Sequence, residues 1–155
     1  MSFGIQFVSD SPDAEPGAGP VVAGVLTLGM HREHFVASLE YWSREQYEAS
    51  WREALSLALR GECAALITSM PDPAVANVVR WWPIYPKDGV SLVVQEHLLF
   101  LRELSRAFDP KQPFTFLLPY GSAEEDGEPI SEWTVDASDV RDFLLSARSR
   151  GSDDK

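Results

Sequence analysis

The sequence has little cysteine and no long apolar run. Cys63 is its single cysteine, so an internal disulfide is impossible, but 155 residues suffice for one core without disulfides or structural metal. No apolar stretch approaches the roughly 20 residues that cross a bilayer. The first residues lack a basic segment followed by a long apolar one, so we expect no secretion signal. A reducing compartment suits such a chain, and we predict the cytoplasm.

Basic residues are also scarce. The 13 Lys and Arg stand against 24 Asp and Glu, which gives a net charge of −11. An anionic surface repels nucleic acid and anionic lipid and speeds encounter with a basic protein, so we predict neither a nucleic-acid partner nor a membrane partner. Solubility alone is the simpler explanation of the charge, but its distribution favours a directed role. Residues 121–142 contain one base, Arg141, and eight acids: Glu124, Glu125, Asp126, Glu128, Glu132, Asp136, Asp139 and Asp142.

Motifs of common enzyme chemistry are missing from the sequence. Gly17-Ala18-Gly19 begins like a dinucleotide-binding loop, but Val22 stands where that fingerprint needs Gly or Ala. There is no P-loop and no Gly-x-Ser-x-Gly nucleophile elbow. A glycosidase pair among the many carboxylates is conceivable, but a loop places such groups poorly and solvated charge is the simpler explanation. We predict no catalytic residue, no cofactor and no enzymatic activity.

Histidine and cysteine, the preferred ligands of transition metals, are few. His31 and His34 are three residues apart, which is compatible with a metal site if they share a helix face. The only other histidine is His97. We therefore favour surface histidines and predict no metal site, and a small metal-dependent hydrolase using His31, His34 and a carboxylate is the alternative. Cys63 is predicted to be an inert thiol in a buried strand.

The best local signal is a helix. Ser43 followed by Gln46 forms a capping box, Trp42 and Tyr47 form the matching hydrophobic staple, and Gly61 supplies a stop. Elsewhere the alternation of residues 3–7 predicts a strand that pairs with residues 21–28, around a Pro/Gly-rich loop at 9–20. Further strands are predicted at 63–70, 77–85, 90–98, 114–118 and 131–135, and further helices at 31–39, 99–108 and after Asp136.

These elements predict an α+β fold. We expect a single domain over residues 1–148, in which a mainly antiparallel β-sheet of five to seven strands is packed by two or three helices. Residues 149–155 are small and polar, and we expect a flexible tail there.

Two groups of tryptophans are candidates for binding. Trp81 and Trp82 are adjacent in a predicted strand and must face opposite sides, so one is buried and the other is exposed if that face is open. Burial of both under covering helices is the alternative. Trp133 lies beside Glu132 at the margin of the acidic cluster, where an exposed indole would anchor a contact that the charges steer.

Several blocks of the sequence resemble those of one bacterial family. The blocks are Tyr41-Trp42-Ser43, Trp51-Arg52-Glu53-Ala54-Leu55, Ala65-Leu66-Ile67-Thr68-Ser69-Met70, Trp81-Trp82-Pro83-Ile84-Tyr85, Gln95-Glu96-His97-Leu98-Leu99-Phe100 and Ile130-Ser131-Glu132-Trp133. They look like blocks of the CdiI-like immunity proteins, which protect cells against contact-dependent growth inhibition toxins. The resemblance extends over nearly the whole chain, from about residue 3 to 145.

The resemblance implies an antitoxin. Such a protein binds the C-terminal toxin domain of a large delivered effector in the cytoplasm and neutralises it. Many of these toxins are nucleases with basic clefts, which an acidic protein is suited to occlude. The family has no shared catalytic residues, so the candidate toxin-binding residues come from charge and aromatic placement: Glu124, Glu125, Asp126, Glu128, Glu132, Trp133, Asp136, Asp139, Trp81 and Trp82. A general protein-interaction adaptor is the other alternative, and the oligomeric state is left open.

Overall fold

A computed structural model describes residues 2–8, 13–15, 19–118, 120 and 131–153. Within these ranges the helices are α1 (Arg44–Leu59) and α2 (Ala137–Asp153), with short 3-10 helices at Leu101–Glu103 and Pro113–Phe116. Neither α-helix has, in its described part, the length and apolar character that a membrane crossing requires. The described strands are β1 (Phe3–Phe7), β2 (Asp13–Glu15), β3 (Gly19–Leu28), β4 (His31–Ser38), β5 (Ala64–Ser69), β6 (Val78–Pro86), β7 (Ser91–Gln95), β8 (His97–Phe100) and β9 (Glu132–Asp136).

The strands form two antiparallel sheets. In the first, the long strand β3 pairs with β1, β2 and β4. The second has the order β5-β6-β7-β9, with β8 also paired to β6. The α+β class with antiparallel strands and two α-helices is confirmed. The strands outnumber the five to seven predicted, because the chain forms two sheets instead of one.

Strands β7 and β8 continue one register along β6. Ile84 pairs with Val94 and Trp81 with His97, but the intervening Trp82 and Pro83 pair with neither β7 nor β8. Proline has no N–H to donate to a ladder, which accounts for the interruption. The predicted strand at 90–98 is therefore two shorter strands. The turn between β6 and β7 has Gly89 at a φ of 83°, a backbone conformation that favours glycine.

Helix α1 follows its sequence signals. The Ser43 N–H donates to Gln46 Oε1 over 2.8 Å, and the Gln46 N–H donates to Ser43 Oγ over 3.2 Å, which confirms the capping box. The rings of Trp42 and Tyr47 lie 5.2 Å apart, as the staple requires. The helix ends at Leu59, and Gly61 follows with a φ of 88°.

The buried face of α1 joins the two sheets. The Tyr47 hydroxyl donates to the Ser38 carbonyl over 2.6 Å and accepts the Met70 N–H over 2.8 Å. Ser38 ends β4 in the first sheet, and Met70 directly follows β5 in the second. One turn further along, the Trp51 indole N–H donates to the Ile67 carbonyl over 2.7 Å. Burial raises the pKa of Tyr47 to about 12.

Residues 31–39 are not the short helix predicted. They form β4, whose residues 31–38 pair with residues 21–28 of β3. The side chains alternate along the strand: His31, Glu33 and Phe35 are half-buried, whereas Arg32, His34 and Val36 are exposed. Pairing with the free edge of β3 therefore determines the conformation of this segment, for which local propensity is ambiguous.

Two predictions between residues 99 and 118 are also wrong. Residues 99 and 100 instead end β8, which pairs with β6, and the 3-10 helix Leu101–Glu103 follows. The Asn77 carbonyl accepts from the Leu101 N–H over 2.7 Å, and its side chain accepts from the Arg102 N–H over 2.9 Å, which fixes the start of that short helix. The strand predicted at 114–118 is instead the 3-10 helix Pro113–Phe116.

Several terminal and loop predictions have different outcomes. The predicted strand at 63–70 forms as β5, but Cys63 precedes it and is exposed, so it is not the core thiol predicted. Part of the predicted loop at 9–20 is the short strand β2, and 9–12 and 16–18 lie outside the described residues.

The terminal helix is confirmed as α2, with Val140 buried. The single-domain range 1–148 and the flexibility of 149–155 stay predictions.

We expect Tyr47→Phe to lower the free energy of unfolding by about 1–3 kcal/mol, because it leaves the buried Met70 N–H without a partner. Urea unfolding at neutral pH measures this. Tyr41→Phe is the matched control, since that ring is 40% exposed, and its effect should stay within about 0.5 kcal/mol. Equal stability of the two variants would contradict the role given to the Tyr47 hydroxyl.

Alkaline pH offers a second test of Tyr47. Its folded-state pKa of about 12 exceeds the ordinary value of 10.0, so the unfolded chain ionises first. The contribution of the protonated hydroxyl is intact below pH 10.0 and is lost as the pH rises toward about 12. Unfolding measured across that window should show a decline in stability that is shallower in Tyr47→Phe. Tyr85 also has a pKa raised to about 12 by burial, so part of the decline should remain.

Candidate functional site

The candidate acidic residues divide into two groups. Glu124, Glu125, Asp126 and Glu128 lie outside the described residues. The others follow one another along β9 and into the first turn of α2, which begins where the strand ends. These are Glu132, Asp136 and Asp139, with Asp142 one turn beyond.

Side chains alternate along β9, so the charged residues lie on one face of the strand and the aromatic residue lies on the other. Glu132, Thr134 and Asp136 are exposed on one face, whereas Trp133 is half-buried and Val135 buried on the other. Glu132 and Asp136 are four residues apart in the strand, so their Cα atoms are separated by roughly 13 Å. The described part of the cluster is therefore an anionic face along one strand that borders an aromatic face.

Hydrogen bonds hold the Glu132 carboxylate in place. Gln95 Nε2 donates to Glu132 Oε1 over 3.1 Å, and the Tyr120 hydroxyl lies 3.2 and 3.1 Å from the two carboxylate oxygens. Gln95 is only 4% exposed, and its Oε1 lies 3.0 Å from His97 Nε2. The hydrogen bond to Glu132 raises the pKa of Tyr120. This arrangement gives an exposed anion a fixed position.

Tyr120, like Gln95, is a residue that sequence reasoning missed. It lies 12 residues before Glu132 and is 54% exposed. Its ring packs at 5.3 Å against Tyr85, whose hydroxyl donates to the Leu118 carbonyl over 2.8 Å. Nothing local in the sequence signals this contact, because the β7–β9 pairing is what brings Glu132 to it.

Trp133 lies at the junction of the two sheets. Its indole stacks on the His31 ring at 4.4 Å with an interplanar angle of 17°, and packs against Trp82 at 5.6 Å. His31 Nε2 in turn lies 3.2 Å from Glu33 Oε1. The indole therefore connects β4 of the first sheet to β6 of the second. Its role as a contact anchor stays a prediction.

Of the two alternatives for Trp81 and Trp82, exposure of one is wrong and burial of both is found. The two residues are 2% and 4% exposed, so both faces of β6 are covered at this point. The Tyr85 hydroxyl, on the same face as Trp81, bonds to Leu118, which shows that the chain near residue 118 covers that face. Trp82 instead supports Trp133 from within the core.

The geometry that a His31–His34 metal pair requires is not present. Residues three apart in a strand point to opposite faces, and His31 turns toward Trp133 whereas His34 is exposed. Within the described ranges, no group of three or more His, Cys, Asp or Glu residues is arranged to bind a metal ion.

A cleft of about 460 Å³ opens between β4 and the strands β6 and β8. Glu33 and Glu96 contribute carboxylates to its lining, Arg80 a cation, and Val36 and Leu98 apolar side chains. The mixed charge gives this cleft no strong preference for a basic partner. The anionic face of β9 is the more distinctive surface.

Trp133→Ala should destabilise the fold by about 3 kcal/mol, because it removes an aromatic side chain that packs between the sheets. Glu132→Gln, one residue away but on the exposed face, should leave the free energy of unfolding within about 0.5 kcal/mol of the parent. Urea unfolding followed by circular dichroism compares the two. Comparable losses in both variants would contradict the division between a structural and an exposed face.

Comparisons with known proteins agree with this architecture. The family model described as the CdiI N-terminal domain matches residues 37–143. A chain of a solved structure, described as the CdiA-CT/CdiI toxin and immunity complex from Enterobacter cloacae, superimposes with a TM-score of 0.81. It is 30% identical, and the alignment covers 95% of this chain and 99% of that chain. No curated protein matches significantly.

The family match extends over more than half of the sequence, and the structural match over nearly all of it. The resemblance seen in the sequence blocks is thereby confirmed. The chain belongs to the CdiI N-terminal domain family.

Proposed function

We propose that this protein is an immunity protein that binds and neutralises the cognate toxin domain of a contact-dependent growth inhibition effector. The observation that carries the proposal is family membership together with a 30% identical match to a chain from a toxin and immunity complex. That match covers 95% of this chain, so it is not confined to one of the two sheets. The activity is binding, with no chemistry of its own.

Charge and aromatic placement support a basic, nuclease-type toxin as the partner. With a net charge of −11, the protein accelerates encounter with a cationic surface. A nuclease binds its substrate through cationic side chains in its substrate cleft. An acidic protein that occupies this cleft therefore excludes the nucleic acid. An interface of roughly 1,600 Å² is typical of stable complexes. The proposed contact residues are Glu132, Trp133, Asp136 and Asp139 with Glu124, Glu125, Asp126 and Glu128. Trp82 supports Trp133 from the core, and Trp81 is buried on the other face of β6.

The proposed compartment is the cytoplasm, where a delivered toxin would act. Cys63 supports it, because the thiol is free and exposed. An exposed free thiol persists in a reducing environment and is readily oxidised or cross-linked in an oxidising one.

Co-expression tests the proposal directly. The toxin domain encoded in the neighbouring effector gene should arrest growth when produced alone, and this protein should restore growth when produced with it. A catalytically inactive toxin variant should copurify with the protein with nanomolar or tighter affinity. Absence of both a complex at low salt and protection in cells would refute the function.

Charge reversal tests the electrostatic part. Replacing Glu124, Glu125 and Asp126 together by lysine should slow association with the inactive toxin about tenfold at low salt, and less at high salt. Dissociation should change little. The matched control reverses Glu40, Glu53 and Glu103, which are exposed elsewhere on the chain and give the same net charge. Equal slowing in both variants would show that total charge, not the acidic segment, directs the encounter.

A further inference from the structure

We infer that Glu132, Gln95 and Tyr120 form a preformed binding site for one arginine guanidinium group of the toxin. This inference rests on the proposed function and identifies one contact that should determine how long the complex lasts. The three residues are called the Glu132 site below.

The first support is the fixed position of the carboxylate. Glu132 accepts hydrogen bonds from Gln95 Nε2 at 3.1 Å and from the Tyr120 hydroxyl at 3.1 and 3.2 Å. Gln95 is itself nearly buried, and its carbonyl oxygen is engaged by His97 at 3.0 Å. The amide nitrogen therefore points to Glu132 and has little freedom to turn elsewhere. The carboxylate is ordered before any partner arrives.

Because Glu132 is already ordered, an ion pair with it contributes more binding free energy than an ion pair between mobile side chains. Exposed pairs between mobile side chains contribute little, because both side chains lose conformational freedom when the pair forms. Here the anion has already lost that freedom within the folded protein, so a partner cation gains the interaction without that cost. Carboxylate oxygens have further lone pairs beyond those used by Gln95 and Tyr120.

The second support is the ring beside the anion. Tyr120 is 54% exposed and is held against Tyr85 at 5.3 Å. An arginine guanidinium is planar, stacks on aromatic faces and donates in a fork to a carboxylate. A lysine ammonium would use the carboxylate but gain less from the ring plane. The combination favours arginine.

Asp136 supplies an internal comparison. It is exposed on the same face of β9, four residues from Glu132, and carries the same charge. No hydrogen bond or ion pair joins its side chain to another residue in the described part of the chain. Glu132→Gln and Asp136→Asn thus remove equal charge from neighbouring positions and differ in whether the lost group was held in place.

Binding kinetics against the inactive toxin domain test the inference. We expect Glu132→Gln to raise the dissociation rate at least about tenfold and Asp136→Asn to raise it less than about threefold. Tyr120→Phe, which keeps the ring and loses the hydroxyl, should lie between them. Tyr120→Ala should reach or exceed the effect of Glu132→Gln. Thermal unfolding of each variant verifies that the fold is kept.

Arginine is identified from the toxin side. Each exposed arginine of the toxin is replaced by lysine and measured with the parent protein and with Glu132→Gln. One replacement should weaken binding to the parent at least about fivefold and have almost no further effect on Glu132→Gln, which is the coupling expected of a direct contact.

The outcomes separate the two proposals. If the parent protein binds the toxin but Glu132→Gln and Asp136→Asn dissociate alike, the Glu132 site is refuted and the immunity function stands. The same follows if no arginine couples to Glu132. If the parent protein neither binds nor protects, both proposals fall.

Discussion

The fold depends on one buried hydroxyl group. Tyr47 projects from α1 between the end of β4 and the end of β5, and it satisfies a carbonyl of one sheet and an N–H of the other. The neighbouring Trp51 bonds to β5 from the same helix face. Because both sheets meet the same two side chains, their relative position is set by a single helix. The Trp133–His31 stack then closes the junction from the other end of the chain.

This constraint explains which elements were predictable from the sequence. Helix α1 carries its own start, stop and apolar stripe, so Ser43, Gln46 and Gly61 were sufficient to place it. The segment at residues 31–39 has no such signals, and its strand form comes from pairing with β3. The segment predicted as a helix from residue 99 is similar, because its first residues end β8 and pair with the distant strand β6. In both segments, pairing with another strand determines the backbone conformation.

The candidate site shows the same limit. Charge clustering on the chain drew attention to Glu132 and Asp136, which the structure places on one exposed face of β9. It could not distinguish them, because the difference lies in Gln95 and Tyr120, which are 37 and 12 residues away. The exposure of Trp81 or Trp82 could not be predicted for a related reason. Alternation shows that Trp81 and Trp82 face opposite sides, but not that both sides are covered.

Attraction and retention of a partner therefore have different structural requirements in this protein. Attraction acts over about a Debye length and needs negative charge near the contact surface, which mobile or fixed carboxylates supply equally well. Retention needs groups that are already ordered, because each freely rotating side chain loses entropy when it is immobilised. Strand β9 satisfies the second requirement: its pairing with β7 aligns Gln95 with Glu132, and its opposite face is anchored through Trp133 to the junction that α1 defines. A scaffold of this kind can present a changed set of surface charges to a different toxin without altering the contacts that hold the two sheets together.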